Sequence, residues 1–333
     1  MTDTASTPRP VQNRAFSPFE FLSRYGTLIA LGLLIIFNLV FTRNFATLQT
    51  LNVNLTQVCT IVIVAVGMTL VIGTGGIDLS VGSIMAISGA LAPMIFLGTI
   101  LPVFDTGVSV GIAMIVAIAV ATLLGLFNGW LIAYFRIQPI VATLVLFIAG
   151  RGIAQVLTNG NLQVFRVPEF QWIGLGRPFG IPVQVVIMII LVLAAAWMLR
   201  RTVFGRNIVA TGGNEKAAEL AGVSVNGVKL AVYAISGFCA GVAGLIVIAI
   251  NSASDANLVG MGMELDAIAA VAVGGTLLTG GKVTIIGTLL GALTIQLVRY
   301  TLLANGVPDA AALVVKAAII IIAVWLQQQG RVR

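Results

Sequence analysis

The sequence contains no histidine and only two cysteines among its 333 residues. Without histidine there can be no Ser-His-Asp or Cys-His nucleophile pair, no histidine metal site and no histidine proton carrier near neutral pH. Cys59 and Cys239 both lie inside apolar runs, so neither a disulfide framework nor a Cys-x-x-Cys metal site is expected. These absences exclude the commonest arrangements for catalysis at neutral pH.

Charged residues are also scarce. They make up 9% of the chain, against about 25% in a typical soluble domain. Hydrophobic residues account for 59%, the mean hydropathy is +1.09, and no polar block is large enough for a separate soluble domain. The sequence therefore predicts an all-α polytopic membrane protein, and the net charge of +7 is better explained by basic residues on the inner side of the membrane than by nucleic acid.

Apolar stretches of roughly twenty residues are long enough to cross a bilayer. They predict ten transmembrane helices, at 25–42, 56–73, 80–98, 108–134, 139–157, 183–199, 229–250, 264–279, 283–304 and 310–326. With both termini in the cytoplasm, twelve Lys and Arg residues lie inside and three outside, as the positive-inside rule requires. The predicted organisation is a cytoplasmic tail 1–24, a transmembrane domain 25–326 and a cytoplasmic tail 327–333, in a multi-pass protein of the plasma membrane.

Two connecting segments are long enough to have a role of their own. The outer segment 158–182 contains prolines and Trp172 and is expected to form an ordered cap, although Trp172 could simply be an interfacial anchor. The inner segment 200–228 contains N-E-K-A-A-E-L-A-G, with Asn214 as a capping residue and Gly222 as a stop. We predict a short helix outside the membrane, which is either a docking element or a solvated turn.

The stretch G-T-G-G-I-D-L-S-V-G-S at 73–83 places one carboxylate, Asp78, between two apolar runs. The topology puts it at a break between two spans near the inner side, where Asp78 or Ser80 could cap the helix that follows. A structural hinge or cap is the preferred role, and direct contact with substrate is the alternative. The related stretch T-G-G-K-V-T-I-I-G-T at 279–288 hints at an internal repeat.

Other ionisable residues fall at membrane depth, where they are functional candidates by default. The topology collects Arg151, Arg299, Lys316, Glu264 and Asp266 in the outer third of the membrane. They could pair with one another or line a polar vestibule, or the cations could extend outward along lipid.

The segment T-L-L-T-G-G-K-V at 276–283 approaches the phosphate-binding pattern G-x4-G-K-[S/T] but lacks its first glycine and its final hydroxyl residue. It also lies between two spans, with no β-strand before it. We therefore expect this chain to bind no nucleotide, so ATP-driven transport would need a separate ATPase.

Several segments together resemble the permeases of bacterial ATP-binding-cassette (ABC) sugar importers, the ribose, arabinose, xylose and galactofuranose group. They are G-G-I-D-L-S-V-G-S at 75–83, G-L-F-N-G at 125–129, I-Q-P-I-V-A-T-L at 137–144, R-G at 151–152, the loop 204–223, E-L-D-A-I-A-A-V-A-V-G-G-T at 264–276 and G-G-K-V-T-I-I-G-T-L-L-G-A at 280–292. The similarity extends over about residues 55–325, and the 137–155 region looks closest to galactofuranose-type permeases.

The resemblance implies a transport subunit that is not an enzyme and binds no cofactor of its own. ATP and Mg would bind to a partner ABC ATPase, a periplasmic binding protein would deliver the sugar, and a second permease would complete a homodimer or heterodimer in the lipid bilayer. No nucleic acid is implied. By position, the segment that couples to the ATPase comprises Gly213, Asn214, Glu215, Ala217, Ala218 and Gly222.

Candidates for the sugar pathway or its gate are Asp78, Asn128, Asn251, Asn257, Glu264 and Asp266, although a buried asparagine could equally join helices. The alternative function is an ion-coupled secondary carrier with Asp78, Glu264 and Asp266 as ion sites. The acids stand at span ends and not at the midplane, where carrier sites usually lie, which argues against it. A membrane-embedded enzyme lacks any catalytic arrangement of residues.

Overall fold

The computed structural model describes residues 18–99, 109–308, 310–315, 317–319 and 321. Twelve α-helices account for most of them. They are α1 Pro18–Phe41, α2 Leu48–Gly73, α3 Val81–Phe96, α4 Val110–Tyr134, α5 Pro139–Leu157, α6 Pro168–Leu175, α7 Val183–Arg201, α8 Val203–Gly213, α9 Glu215–Leu220, α10 Val225–Asn251, α11 Met263–Val273 and α12 Ile285–Ala304. Residues 310–315 and 317–319 are also helical.

Within the described part of the chain, six helices are long and apolar enough to cross a membrane, namely α2, α4, α5, α7, α10 and α12. This is the architecture of an all-α polytopic membrane protein. The shorter apolar helices include Gly26–Phe41 and Val81–Phe96. The number of spans and the side on which the termini lie remain predictions.

The predicted spans agree with the helices to within a few residues at most ends, with three larger differences, and the span predicted at 310–326 lies partly outside the described residues. Helix α1 begins at Pro18 and not at residue 25. Helix α2 begins at Leu48, because Thr47 caps it by accepting a hydrogen bond from the Thr50 N–H. The span predicted at 264–279 is wrong at its end, since α11 stops at Val273. The chain turns there because Gly275 has a positive φ of 82°, a conformation that glycine adopts without steric cost.

Helices α2 and α10 form the centre of the bundle. Residues Val58–Gly73 of α2 are all buried, as expected of a helix that is apolar on every side and surrounded by other helices. Helix α2 packs against α7, α10, α11 and α12, whereas α10 packs against α2, α3 and α4. The large side chains of α4 and α5 on the far side of the bundle are exposed, among them Ile115, Leu123, Val145 and Ile148.

Glycines allow the closest helix contacts. A Cβ at Gly125 of α4 would meet the backbone of Tyr233 and Gly237 on α10, and one at Gly291 of α12 would meet Ala270 on α11. Small residues at such crossings let two backbones approach, which is the usual way that membrane helices pack. These two glycines therefore allow close packing of α4 against α10 and of α12 against α11.

The two ends of the bundle differ. At one end, which we call the α6 end, strand β1 Gln163–Val164 pairs antiparallel with β2 Ala253–Ser254, and a 3₁₀ turn Pro178–Gly180 follows α6. The rings of Phe96, Phe165 and Phe170 pack together beneath. At the other end, the α9 end, α8 and α9 connect α7 to α10. Segment 158–182 contains β1, α6 and the 3₁₀ turn, and segment 200–228 is largely helical. Helix α8 in this second segment was not predicted from the sequence.

Candidate functional site

The break between α2 and α3 is held by the carboxylate of Asp78, which is completely buried. Its Oδ1 accepts hydrogen bonds from the Ser80 backbone N–H at 3.0 Å and the Ser80 hydroxyl at 2.6 Å. Its Oδ2 accepts one from the Ser236 hydroxyl of α10 at 2.7 Å. Three donors offset much of the cost of burying a carboxylate away from water.

The expected capping is wrong in detail. Among the described residues, Ser80 is the N-cap residue of α3 but makes no side-chain capping bond, and Asp78 binds Ser80 itself rather than the first turn of the helix. The partner of Asp78 on α10, Ser236, stands eleven residues from the start of that helix at Val225, a distance of about 16 Å. The break therefore turns back into the bundle.

Asn128 of α4 belongs to the same network. Its amide donates to the Ser80 hydroxyl at 2.8 Å, and its buried Oδ1 has no hydrogen-bond partner among the residues that the structure describes. Asn128 is fully buried, so in this conformation it joins helices and faces no open path. Asp78 and Asn128 are thus brought together, although nothing in their spacing in the sequence indicated this.

The two related glycine stretches meet beside α8. The Gly281 N–H donates to the Gly73 carbonyl at 3.2 Å, and the Thr69 and Thr288 hydroxyls are 2.8 Å apart. A Cβ at Gly212 would overlap the Gly73 carbonyl oxygen and lie 2.6 Å from the Gly281 nitrogen. The end of α8 is therefore in backbone contact with both breaks, which the sequence gave no reason to expect.

A cavity of about 680 Å³ opens at the α9 end. Its walls come from the α2–α3 break at Thr74–Gly76, the α4–α5 turn around Arg136, and α9 with the start of α10. Tyr233 also lines it and lies close to Asp78, its hydroxyl 3.4 Å from the Ile77 carbonyl. The cavity thus extends from the end of the bundle to the residues beside the buried carboxylate.

Helix α9 has the local structure predicted for it. The Asn214 side chain caps it by accepting from the Ala217 N–H at 3.0 Å, and Gly222 follows with a φ of +84°. Gly213, Asn214, Glu215, Ala217 and Gly222 are exposed, whereas Ala218 is buried. Lys229 of α10 holds α9 through an ion pair of 2.7 Å with Glu215.

Arg151 of α5 lies toward the α6 end and is half-buried. Its guanidinium donates to the carbonyls of Ala256 at 2.8 Å and Val259 at 2.6 Å and interacts electrostatically with Glu264. Glu264 is 6% exposed, and its Oε2 has no hydrogen-bond partner in the described part of the chain. The two residues are therefore neighbours, but the hydrogen bonds of Arg151 within the described part of the chain go to backbone carbonyls and not to the acid.

The remaining predicted residues are dispersed. Asp266 is half-buried in the first turn of α11, Arg299 is exposed on α12, and Asn251 is exposed at the end of α10. Asn257 is exposed and accepts a hydrogen bond from Gln155. Lys316 lies outside the described residues. A common cluster of all five predicted charges is therefore not established.

The chain matches the family described as branched-chain amino acid transport system / permease component over residues 50–324. It is 41% identical over 329 residues to the ribose import permease protein of Escherichia coli strain K12, covering 97% of this chain and 99% of the relative. No solved structure matched the chain.

Two further relatives are transporters of other sugars by name. The galactofuranose transporter permease protein of Escherichia coli strain K12 is 41% identical, with 83% of this chain and 78% of the relative covered. The fructose import permease protein of Bifidobacterium longum is 37% identical, with 81% and 74% covered.

Proposed function

The chain belongs to the family of permease components of ATP-binding-cassette importers, and from this premise we propose that it carries a monosaccharide across the inner membrane. The family and the six apolar helices make it a multi-pass inner membrane protein. It is a transport subunit and not an enzyme. The observation that carries the proposal is the match, along almost its whole length, to a ribose import permease.

The exposure and contacts of helix α9 support the proposal that a separate ATPase supplies the energy for transport. It is short, capped at both ends and largely exposed, and the end of α8 that precedes it contacts both glycine breaks. A partner that moves α9 would therefore act on the α2–α3 break through a short backbone path. We propose that the exposed residues from Gly213 to Gly222 bind the ABC ATPase, in which ATP and Mg are bound.

The remaining partners follow from the same proposal. A periplasmic binding protein delivers the sugar at the α6 end, and a second permease subunit completes the pathway. Galactofuranose, fructose and ribose permeases are all similar to this chain, so the proposed substrate class is a monosaccharide of five or six carbons. The ion-coupled carrier is not favoured, since Asp78 is enclosed by three hydrogen-bond donors.

The test compares two driving forces in proteoliposomes that contain the chain, its ATPase and a sugar-loaded binding protein. Uptake of ribose, fructose or galactofuranose is expected with ATP and absent with only a proton or sodium gradient. The purified chain alone should neither bind nor hydrolyse ATP. Uptake driven by an ion gradient without ATP would refute the proposal.

A further inference from the structure

We propose that Gln155, Asp255 and Asn257 form a sugar-contact site at the α6 end that helps to select the transported monosaccharide. The inference rests on the proposed function and adds residues and a role to it. Asn257 is one of the pathway candidates named from the sequence, whereas Gln155 and Asp255 do not stand out there, because Gln155 lies within an apolar helix and Asp255 lies in the connection between α10 and α11.

The three side chains form one hydrogen-bonded group across two parts of the fold. The Gln155 amide of α5 donates to Asn257 Oδ1 at 2.8 Å. Asp255 Oδ1 accepts from the Asn257 backbone N–H at 2.8 Å and from its side-chain amide at 3.0 Å. Asn257 is exposed, and Gln155 and Asp255 are half-exposed. The group therefore faces outward while its members fix one another's positions.

Unused hydrogen-bonding atoms remain on this group. Each amide has two N–H groups and an oxygen with two lone pairs, and a carboxylate has two acceptor oxygens. Gln155 Oε1 and Asp255 Oδ2 have no bond within the group. Adjacent hydroxyls of a monosaccharide both donate and accept, so closely spaced amide and carboxylate groups match them. Such a mixed set of donors and acceptors matches a polyol, whereas a cation would use only the acceptor oxygens.

Arg151 is the positioning residue of this site. It stands four residues before Gln155 on α5, so both side chains lie on the same face of the helix. Its bonds to the carbonyls of Ala256 and Val259 hold the connection that carries Asp255 and Asn257. Glu264 and Asp255 both interact electrostatically with this guanidinium, and Glu264 Oε2 is buried with no hydrogen-bond partner in the described part of the chain.

The experiment measures ATP-driven uptake in proteoliposomes with the same ATPase and binding protein for every variant. D-ribose, D-fructose and galactofuranose are supplied separately, each on the binding protein. Gln155→Ala and Asn257→Ala are expected to change the ratio of uptake rates between two of these sugars by about three- to tenfold, the effect of losing one hydrogen bond. Because the binding protein is common to all assays, a changed ratio reports on the permease.

One control and one positioning variant separate the roles. Asn161→Ala removes another exposed amide at the α6 end and should leave the ratio unchanged. Arg151→Lys should change the ratio in the same direction as Asn257→Ala, because it loosens the connection that carries Asp255 and Asn257 without touching sugar. Unchanged ratios in both alanine variants, with normal uptake by the wild type, would overturn the sugar-contact site alone. Failure of the wild type with all three sugars would overturn the proposed function, and the site with it.

Discussion

The hydroxyl of Ser236 donates a 2.7 Å hydrogen bond to the carboxylate of Asp78, and this bond fastens the break between α2 and α3 to the middle of α10. Asp78, which lies between two apolar runs of the sequence, thereby contributes to the packing of the helices. The same carboxylate also orients Ser80, which accepts from Asn128 of α4. Three elements distant in sequence depend on one buried acid.

Replacing Asp78 tests whether its charge or its hydrogen bonds matter. Asp78→Asn keeps one acceptor oxygen for Ser80 and can donate its new amide to the Ser236 hydroxyl. We expect this variant to insert, keep its thermal stability in detergent and largely transport. Asp78→Ala should be less stable by at least about 1–3 kcal/mol, because the Ser80 N–H is left buried without a partner.

Thermal unfolding and ATP-driven uptake are measured for both Asp78 variants. A well-inserted Asp78→Asn that is stable but cannot transport would show that the negative charge itself takes part in the transport cycle.

Gly212 should tolerate no side chain. A methyl group there meets the carbonyl of Gly73 and the N–H of Gly281, and overpacking of this kind costs about 1–3 kcal/mol. At the neighbouring Gly213, no atom of the described residues lies within 4 Å of the corresponding position, so Gly213→Ala is a matched control. We expect a lower midpoint of thermal unfolding for Gly212→Ala only. Equal midpoints for the two variants would disprove close contact between α8 and the breaks.

Ala217 tests the proposed contact with the ATPase. Its side chain is exposed on α9, so Ala217→Arg should change stability by no more than about 0.5 kcal/mol. A large cation on this short helix should nevertheless block docking and reduce ATP-driven uptake to background. Ala217→Ser, which adds little volume, should retain uptake. Normal uptake by Ala217→Arg would exclude this face of α9 from the coupling contact.

Local signals in the sequence predicted the helices well, because apolar runs of sufficient length have few alternatives in a membrane. Asn214 and Gly222 likewise marked α9 through capping chemistry that acts over three or four residues. The end of α11 was missed because the run remains apolar beyond Val273 and only the backbone of Gly275 reveals the turn.

Contacts between distant segments could not be predicted in this way. Ser236 is an ordinary small residue within α10, and only the fold brings its hydroxyl to Asp78. Hydropathy locates the break at Asp78 in the sequence, but it does not show which helix the break packs against. Gln155 gave no signal because one amide near a helix end is common, and its meaning depends on Asn257, 102 residues away.

The direction of the chain in the membrane can be determined by labelling single cysteines. Cys59 and Cys239 are 0% and 2% exposed, so the wild type should react little with a membrane-impermeant maleimide. Leu220 on α9 is 90% exposed and Leu162 at the α6 end is 57% exposed, and each can be replaced by cysteine without opening the core.

If basic residues orient the chain as expected, Leu162→Cys is labelled in intact spheroplasts and Leu220→Cys only in inside-out vesicles. As a control, the same labelling is done after the membrane has been solubilised in detergent. Both variants should then be modified equally, which would show that each thiol is reactive. The reverse pattern would put α9 outside the cell, where no ATPase could bind it. The orientation of α9 therefore decides whether ATP can drive this permease through the contact proposed above.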